Sequence, residues 1–412
     1  MAIATYTDSN FSPLFKRVWG EYGSNLYGTG AEDPAFSQIK KTFNFKGSQM
    51  DFPLDLSFGG GVGNGSIPEA NTSKKVTVVL TRKKSYARMK LDRETMIASR
   101  GREGAFQDAT RYETEAKLRS FMRLMACWFY NDGSGILGQF SGSASGTAAA
   151  PVVTALNTGS YTFRQAFFEE GDYINVVTAA LTVLPSMWEI TAVNTTTRAI
   201  TLSLVSGSSD LTAVGAGTHS LVMQGSYNAC QMGIKGAVEA SSTLYGVAIQ
   251  RRYQAQTLAA GGQPIAVDHL NRLAVSGNNL TGKYFTHFIG SARQYEKLLN
   301  RQGDARRYVD VLSSTNKMAP KIQMSFRGLA LDTTAGEIPF LPSRYVEDDR
   351  IYAINTDYIE MKHAEKFGWF EEDGSLLQRL PSDDAYEARY GGYSETYINP
   401  FYQAYISGLS TT

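Results

Sequence analysis

One stretch in the second half of the chain comes close to a known chemical motif. The sequence Gly277-Asn278-Asn279-Leu280-Thr281-Gly282-Lys283-Tyr284 has the spacing of a phosphate-binding loop up to its lysine. The match then fails, because Tyr284 stands where a Ser or Thr should hold magnesium, and a predicted helix precedes the stretch where a strand is required. The sequence therefore predicts a helix C-terminus and a turn before a strand at this position.

The other residues that could do acid–base or metal chemistry are scattered. The four histidines have none of the spacings of a metal site: His219, His269, His287 and His363. Acidic residues occur as direct neighbours, as in Glu169-Glu170, and on a strand such side chains point to opposite faces. We therefore predict no catalytic, cofactor-binding or metal-binding residues, and no enzymatic activity.

Basic residues are clustered, and two kinds of contact would explain them. Some clusters are short runs such as Arg82-Lys83-Lys84, and others surround a long predicted helix. Ion pairs between subunits and solvated faces account for most such residues, but DNA phosphates also require only positive charge and no base recognition. Four arginines are predicted to contact DNA without sequence preference or to contact another subunit: Arg100, Arg102, Arg111 and Arg123.

The composition limits the class of protein. The 412 residues allow two or three domains with their own cores, and the net charge of +1 excludes a strongly basic nucleic-acid binder. The 23 tyrosines and 21 phenylalanines suit packed interfaces better than the active site of a hydrolase. Cys127 and Cys230 are expected to be buried, reduced thiols. With no visible signal peptide or membrane-spanning stretch, we expect synthesis and use in a cytosol.

The element that positions most of the candidate residues is a predicted long β-hairpin between Lys46 and Leu91. Residues 52–58 and 76–80 alternate apolar and polar side chains, and a glycine-rich tip at 59–65 joins them. The hairpin has no evident packing surface in its own chain, and two strands alone are only marginally stable in water. We therefore expect another copy of the chain to supply that surface. The residues predicted at this contact are Phe52, Leu54, Leu56, Phe58, Lys74, Lys75, Val76, Val78, Arg82, Lys83 and Lys84.

The rest of the chain divides by pattern. One amphipathic helix is predicted from Ala105 to Tyr130. Residues 138 to about 225 are rich in Ser, Thr, Gly and Ala and predict a small β-barrel or sandwich, with its clearest strands at 173–177, 188–193 and 199–204. After Gly236 the pattern is mixed α/β, with helices near 267–275 and 292–301.

This order of elements resembles a tailed-bacteriophage major capsid protein with the Hong Kong 97-like fold, over nearly the whole chain. The resemblance implies an α+β fold in which the hairpin is the extended loop, the helix of residues 105–130 is the spine helix, and a β-rich domain is inserted. The implied domains are an N-terminal arm (1–45), the hairpin loop (46–91), a peripheral domain with the spine helix (92–137), the inserted domain (138–235), an axial domain (236–360), and the closing strands of the peripheral domain (361–412).

The resemblance implies a structural role. The chain is expected to form hexamers and pentamers that build an icosahedral head around double-stranded DNA, and so to lie in the virion after assembly in the host cytoplasm. Its expected partners are other copies of itself, a portal protein, decoration proteins, and a separate scaffolding protein, since no charged helical propeptide precedes the arm. No cofactor and no membrane are expected. Two alternatives stay open: an encapsulin-like protein compartment, and a β-rich tail or adhesion binding module.

Overall fold

The structure is a computed structural model of the chain. It describes residues 33–57, 74–93, 117–157, 159–301, 329–333, 336–371, 377–381 and 383–411. The chain divides into two compact units. Unit 1 consists of Met1–Met50, Leu80–Phe129 and Glu360–Tyr397. Unit 2 consists of Asp51–Val79, Tyr130–Ile359 and Ile398–Thr412.

Strands predominate in the described part of the chain. In chain order they are β1 Lys40–Thr42, β2 Gln49–Ser57, β3 Lys74–Thr81, β4 Lys83–Asp92, β5 Ile136–Ser141, β6 Ser145–Gly146, β7 Pro151–Thr154, β8 Tyr173–Val177, β9 Met187–Asn194, β10 Ala199–Ser206, β11 Thr218–Met223, β12 Thr243–Leu244, β13 Val247–Ala248, β14 Gln256–Ala259, β15 His287–Gly290, β16 Leu329–Thr333, β17 Gly336–Pro342, β18 Ile351–Ile354, β19 Ile359–His363, β20 Gly368–Trp369, β21 Gln378–Arg379, β22 Ala385–Ile398 and β23 Ala404–Ser407. The described helical segments are α1 Pro34–Ser37, α2 at 117–129, α3 Ile234–Val238, α4 Val267–Thr281 and α5 at 292–301. Short 3-10 turns lie at Gln165–Phe167, Leu211–Ala213, Arg251–Tyr253, Thr356–Tyr358 and Pro400–Tyr402.

Unit 1 is organised around a six-stranded sheet with β22 at its centre. The path runs β1-β19-β22-β20, and both β4 and β21 also pair with β22. Helix α2 places a buried stripe three or four residues apart, with Leu118, Phe121 and Met125 among its members. The ring of Phe121 lies 5.2 Å from that of Tyr390 on β22. The helix predicted from Ala105 to Tyr130 is therefore confirmed over residues 117–129, and its earlier part lies outside the described residues.

The described part of the predicted N-terminal arm belongs to this unit. Asp33 caps α1 by accepting hydrogen bonds from the backbone N–H groups of Ala35 and Phe36, at 3.0 and 2.9 Å. Phe36 is buried against Phe129, with ring centroids 5.5 Å apart, and β1 pairs in parallel with β19. Within residues 33–45, β1 is thus part of the sheet and Phe36 packs against α2, so this segment is not an extended arm but packs against its own chain. Residues 1–32 lie outside the described residues.

Residues 136–223 of unit 2 form a closed sheet of their own. Seven strands follow the order β5-β11-β8-β9-β10-β7-β6, and the predicted strands of this segment are confirmed as β8, β9 and β10. The ends of the sheet meet, because Phe140 bridges Ala155 and the Leu156 N–H donates to the carbonyl oxygen of Gln139 at 2.7 Å. Of the two predicted arrangements, this closure favours the barrel over the sandwich. We call this part of the molecule the barrel.

The second large sheet of unit 2 carries α4 and α5. Its order is β14-β23-β18-β15-β17-β16, and its core includes Leu270, Phe288 and Phe340. Helix α4 ends at Gly282, which adopts the left-handed conformation with φ 67°. The stretch that resembles a phosphate-binding loop is therefore a helix end and a turn, as predicted.

The C-terminal segment corrects one domain assignment. The predicted closing segment of the peripheral domain includes residues 398–411, but β23 lies between β14 and β18 in the α/β sheet. Ala404 and Ile406 are buried there. That assignment is wrong for this segment, because β23 pairs on both sides with strands of the α/β sheet and buries one of its faces there.

Candidate assembly surfaces

The predicted hairpin is present as β2 and β3, which form a two-stranded sheet. Its side chains alternate in exposure as the sequence predicts. Phe52, Leu54 and Val76 are half-buried, whereas Leu56 and Val78 are fully buried, with Val78 0% exposed. Phe58 and the glycine-rich tip lie outside the described residues.

The hairpin is anchored to its own chain. The Val79 N–H donates to the carbonyl oxygen of Tyr245 at 3.0 Å, and the Lys74 Nζ donates to the Gln250 Oε1 at 3.3 Å. With Leu56 and Val78 buried as well, the expectation that the hairpin has no packing surface of its own is wrong for its described part. A second copy is therefore not needed to hold these strands.

The anchor is a tight turn between β12 and β13. Its two residues, Tyr245 and Gly246, have φ angles of 48° and 78°, the combination found in the tightest β-hairpin turns. A tyrosine in this region is uncommon and costs on the order of 1 kcal/mol. The carbonyl oxygen and the hydroxyl of Tyr245 both accept hydrogen bonds, because the hydroxyl accepts the N–H of Ile398 at 3.3 Å.

The end of the hairpin nearest its tip presents charge to solvent. Lys74 and Lys75 are exposed, and the Lys75 Nζ lies 3.9 Å from the Asp55 Oδ1. Both side chains of this ion pair are largely in water, so it contributes little to stability. These lysines are therefore available for contact with another molecule.

In unit 1, a charged and aromatic face follows the hairpin. Alternate residues of β4 point away from the core, whereas Lys83 shares its side of the strand with the buried Met89. We call the solvent face of β4 and β22 the β4 ladder. Its members are Arg82, Lys84, Tyr86, Arg88, Lys90, Arg389 and Tyr393.

One buried acid organises the charges of the β4 ladder. Glu387 is almost fully buried and lies 2.6 Å from the Arg88 Nη2 and 2.5 Å from the Arg389 Nε. Burial by itself raises the pKa of the Glu387 carboxyl, but the hydrogen bond from Arg389 and the charge of Arg88 outweigh it and leave this pKa below its usual value. Beside it, Lys90 pairs with the exposed Asp383 at 2.5 Å.

An aromatic cluster occupies the other end of the β4 ladder. Tyr86 is 48% exposed, its hydroxyl lies 3.5 Å from that of Tyr393, and its ring lies 5.7 Å from that of Phe370. Arg82 lies over the ring of Tyr393 at 4.8 Å. Partial burial and the hydrogen bond with Tyr393 raise the pKa of Tyr86 to about 12, so the hydroxyl stays protonated at neutral pH.

Only one of the four arginines predicted to contact DNA lies within the described residues. Arg100, Arg102 and Arg111 lie outside the described residues. Arg123 lies on α2 and is only 3% exposed, so it cannot meet phosphate while the helix stays packed. The sequence prediction also missed Tyr86, Arg88, Lys90, Arg389 and Tyr393. Basic residues at every second position would have indicated the face of β4, but nothing local indicates its partners on β22.

Two features are absent from the part of the chain that the structure describes: a metal-ligand cluster and a membrane-spanning helix. No three His, Cys, Asp or Glu side chains there are grouped as ligands of a metal ion would be. No helix there is long and apolar enough to cross a bilayer.

Comparison with known proteins identifies the fold. No protein-family model matches this sequence, and no curated protein matches it at a significant level. Among solved structures, the capsid asymmetric unit of cyanophage A-1(L) matches with a TM-score of 0.52 and 8% identity, over 92% of this chain and 93% of that chain. The capsid of a native GTA particle gives a TM-score of 0.44 and 9% identity over 90% and 88% of the two chains. A procapsid of satellite phage P4 gives 0.38 and 8% over 99% and 98%. The match to the cyanophage A-1(L) capsid confirms the predicted resemblance to bacteriophage capsid proteins at the level of the fold.

Proposed function

We propose that this chain is a major capsid protein that assembles, as hexamers and pentamers, into an icosahedral shell around double-stranded DNA. The observation that carries the proposal is the match to the cyanophage A-1(L) capsid asymmetric unit, which covers more than nine tenths of both chains. A match over the full length relates the whole architecture, rather than one common module, to a capsid.

The parts of the Hong Kong 97-like architecture are assigned as follows. The six-stranded sheet of unit 1 with α2 corresponds to the peripheral domain, and the sheet of β14–β18 and β23 corresponds to the axial domain. The barrel is the inserted domain, and β2 with β3 is the extended loop. A portal protein, a separate scaffolding protein and decoration proteins are the other partners proposed for this role.

Contact between copies uses the exposed part of the hairpin. Phe52, Leu54 and Val76 are only half-buried, and Lys74 and Lys75 are exposed, so these residues have surface left to offer to a neighbour. Leu56 and Val78 act differently. They are buried within their own chain and fix the hairpin in the position from which it reaches a neighbour.

The β4 ladder is a second contact between copies. Tyrosine and arginine are the residues that most often dominate the energy of protein interfaces, and this face presents both kinds around Tyr86. Several interfaces of roughly 1,600 Å² each would give a cooperative shell without any single tight bond. DNA contact by Arg100, Arg102 and Arg111 stays a prediction.

The first test is direct. The chain is expressed alone, purified, and studied by sedimentation velocity and negative-stain microscopy at rising concentration. We expect capsomers and closed or partly closed shells. A protein that stays monomeric at high concentration would contradict the proposal. Shells from phage-infected cells should protect double-stranded DNA from nuclease, whereas shells filled with enzyme and free of DNA would indicate an encapsulin-like compartment.

The second test concerns the hairpin. Residues 59–73 are replaced by a short Gly-Ser linker, which keeps Lys74 and its contact with Gln250. The matched control is Gln250→Met, which removes only that contact and leaves the exposed side chains of the hairpin unchanged. We expect the deletion variant to be soluble and folded but unable to form stable shells, while the control assembles. Normal particles from the deletion variant would contradict the role of the hairpin.

A further inference from the structure

The two ends of the barrel differ in charge. The connections at one end are residues 141–150, 178–186 and 206–217, and together they contain one charged residue, Asp210. At the other end, residues 155–172 alone contain four charged residues: Arg164, Glu169, Glu170 and Asp172. The chain also enters β5 and leaves β11 at this second end, because the six strands that close on each other, β5, β11, β8, β9, β10 and β7, alternate in direction. The end with the single charge is therefore the one remote from the attachment of the barrel.

The three connections at this remote end form one continuous surface. The Gly142 N–H donates to the carbonyl oxygen of Gly217 at 2.8 Å, which joins the first connection to the third. The Ser209 N–H donates to the Ser186 Oγ at 2.7 Å, which joins the third to the second. We call this surface the barrel tip.

The barrel tip exposes apolar side chains. Leu181 is 73% exposed and Val183 is 40% exposed. Val205, at the adjoining end of β10, is 43% exposed. Leu181 also has a φ of 61°, in a turn closed by its N–H donating to the carbonyl oxygen of Thr178 at 2.9 Å. This left-handed conformation is unfavourable for leucine. The turn thus holds a large apolar side chain in water.

The charge pattern identifies the occupant. The single acid is already engaged, because the Asp210 Oδ1 accepts from the Thr212 N–H at 2.8 Å and from the Thr212 Oγ1 at 2.7 Å. With no Lys or Arg in its three connections, the barrel tip offers nothing to nucleic acid or to anionic lipid headgroups. Two identical surfaces that meet about a two-fold axis repel each other more strongly the more net charge they carry, and each of these carries only the single negative charge of Asp210.

We infer that the barrel tip is a contact surface for the barrel tip of a second copy of this chain. The inference rests on the proposed shell, because three exposed apolar side chains bury far less than the roughly 1,200 Å² of a stable interface. Copies must be held together elsewhere before the tips meet. The contact therefore forms in shells and does not form between free subunits.

Cross-linking in assembled shells tests this inference. Both native cysteines are buried, so an introduced cysteine at the tip reacts with little background. The variant is Leu181→Cys, with Ala180→Cys as a second variant on the same exposed turn. The control is Tyr173→Cys, which is exposed at the opposite end of β8. Shells are treated with a flexible bismaleimide, and denaturing gels and mass spectrometry identify the products.

The expected product is a dimer of this chain from the tip variants, in shells but not in dilute free subunits, with at least five times more dimer than the Tyr173→Cys control gives. Intact shells without that dimer, or a cross-link to a different protein, would overturn the inference while leaving the proposed function in place. Wild-type protein that forms no shells would instead overturn the proposed function, and this inference with it.

Discussion

The six-stranded sheet of unit 1 and the barrel of unit 2 distribute charge in different ways. The sheet carries charged side chains along the whole solvent face of β4, from Lys84 to Lys90, with the buried Glu387 among them. In the barrel, most of the charged residues of the connections lie at the end where the chain enters and leaves, and the connections of its tip contain only Asp210.

Because their charge distributions differ, the two surfaces respond differently to pH, to salt and to a binding partner. A face built from ion pairs depends on pH and salt, and it can recognise a partner of complementary charge. An apolar tip with a single charge depends much less on both, and it can meet its own copy. Changes of charge should therefore affect the two regions differently.

The largest effect is expected at the charged end of the barrel. The Lys235 Nζ donates to the backbone carbonyl oxygen of Ser160 and to the Glu347 Oε1 at 2.6 Å, and both charged side chains are buried. Lys235→Met leaves Glu347 with a buried charge that only Arg350 still neutralises. We expect the free energy of unfolding of unit 2 to fall by about 3 kcal/mol, measured by denaturant titration.

The matched control is the double variant Lys235→Met, Glu347→Leu. Removing both charges replaces a buried ion pair with apolar contacts, which is often neutral or stabilising. We expect the double variant to regain most of the lost stability. Equal destabilisation in both variants would mean that the packing of the lysine stem, and not its charge, attaches the barrel.

The second prediction concerns the pH response of the sheet. His363 on β19 is buried, and burial together with the charge of Lys41 lowers its pKa to about 4. Between pH 4 and 6.5 the unfolded chain therefore binds more protons than the folded chain, so stability is full above pH 6.5 and falls as pH drops toward 4. The loss is on the order of 3 kcal/mol by pH 4.

The two cysteines allow each unit to be measured separately. Cys127 lies in unit 1 and Cys230 in unit 2, and both are buried, so their labelling rates report local opening. On acidification we expect Cys127 to become more reactive than Cys230. His363→Phe, which keeps an aromatic ring beside Phe43 and Phe367, should remove most of the difference. An unchanged pH profile in that variant would contradict the assignment.

Local sequence patterns predicted much of this molecule. Alternating residues were sufficient for β2, β3 and the central strands of the barrel, and the glycine at 282 marked the end of α4. The charged face of β4 was only half visible. Its basic residues alternate in the sequence, but Tyr86 and its partner Tyr393 are 307 residues apart.

Non-local pairing explains the failures. Nothing near Tyr245 shows that its carbonyl oxygen accepts the Val79 N–H, so the hairpin seemed to lack a surface of its own. In the same way, β23 follows β22 in the chain but pairs in the other unit, between β14 and β18. Its short apolar pattern fits either sheet equally well.

The third prediction compares two acids on the β4 ladder. Glu387→Gln keeps the shape of a buried side chain but removes the charge that faces Arg88 and Arg389, and we expect unfolding to become easier by about 1–2 kcal/mol. Because the pKa of Glu387 is lowered in the folded chain, the wild-type advantage is present above the unfolded pKa of about 4.5 and is lost as pH falls below it.

The control for this comparison is Asp383→Asn, at the exposed pair with Lys90. Water screens both of these side chains, so its effect should stay below about 0.5 kcal/mol and shrink further in salt. If the two variants were equally destabilised, burial of the carboxylate would not be what makes the ladder sensitive to charge.

The smallest effect on folding is expected at the barrel tip, where Leu181→Asp adds a second negative charge to a surface that carries only Asp210. Leu181 is mostly in water, and aspartate tolerates a positive φ better than leucine, so the free energy of unfolding should change by less than about 0.5 kcal/mol.

In a shell, however, two introduced carboxylates would face each other. Leu181→Asn has nearly the same shape without the charge and serves as the control. We expect the aspartate shells to dissociate at a lower urea concentration than the asparagine shells, followed by light scattering, with the gap narrowing as salt screens the repulsion. Equal dissociation of both variants would mean that the tips do not meet.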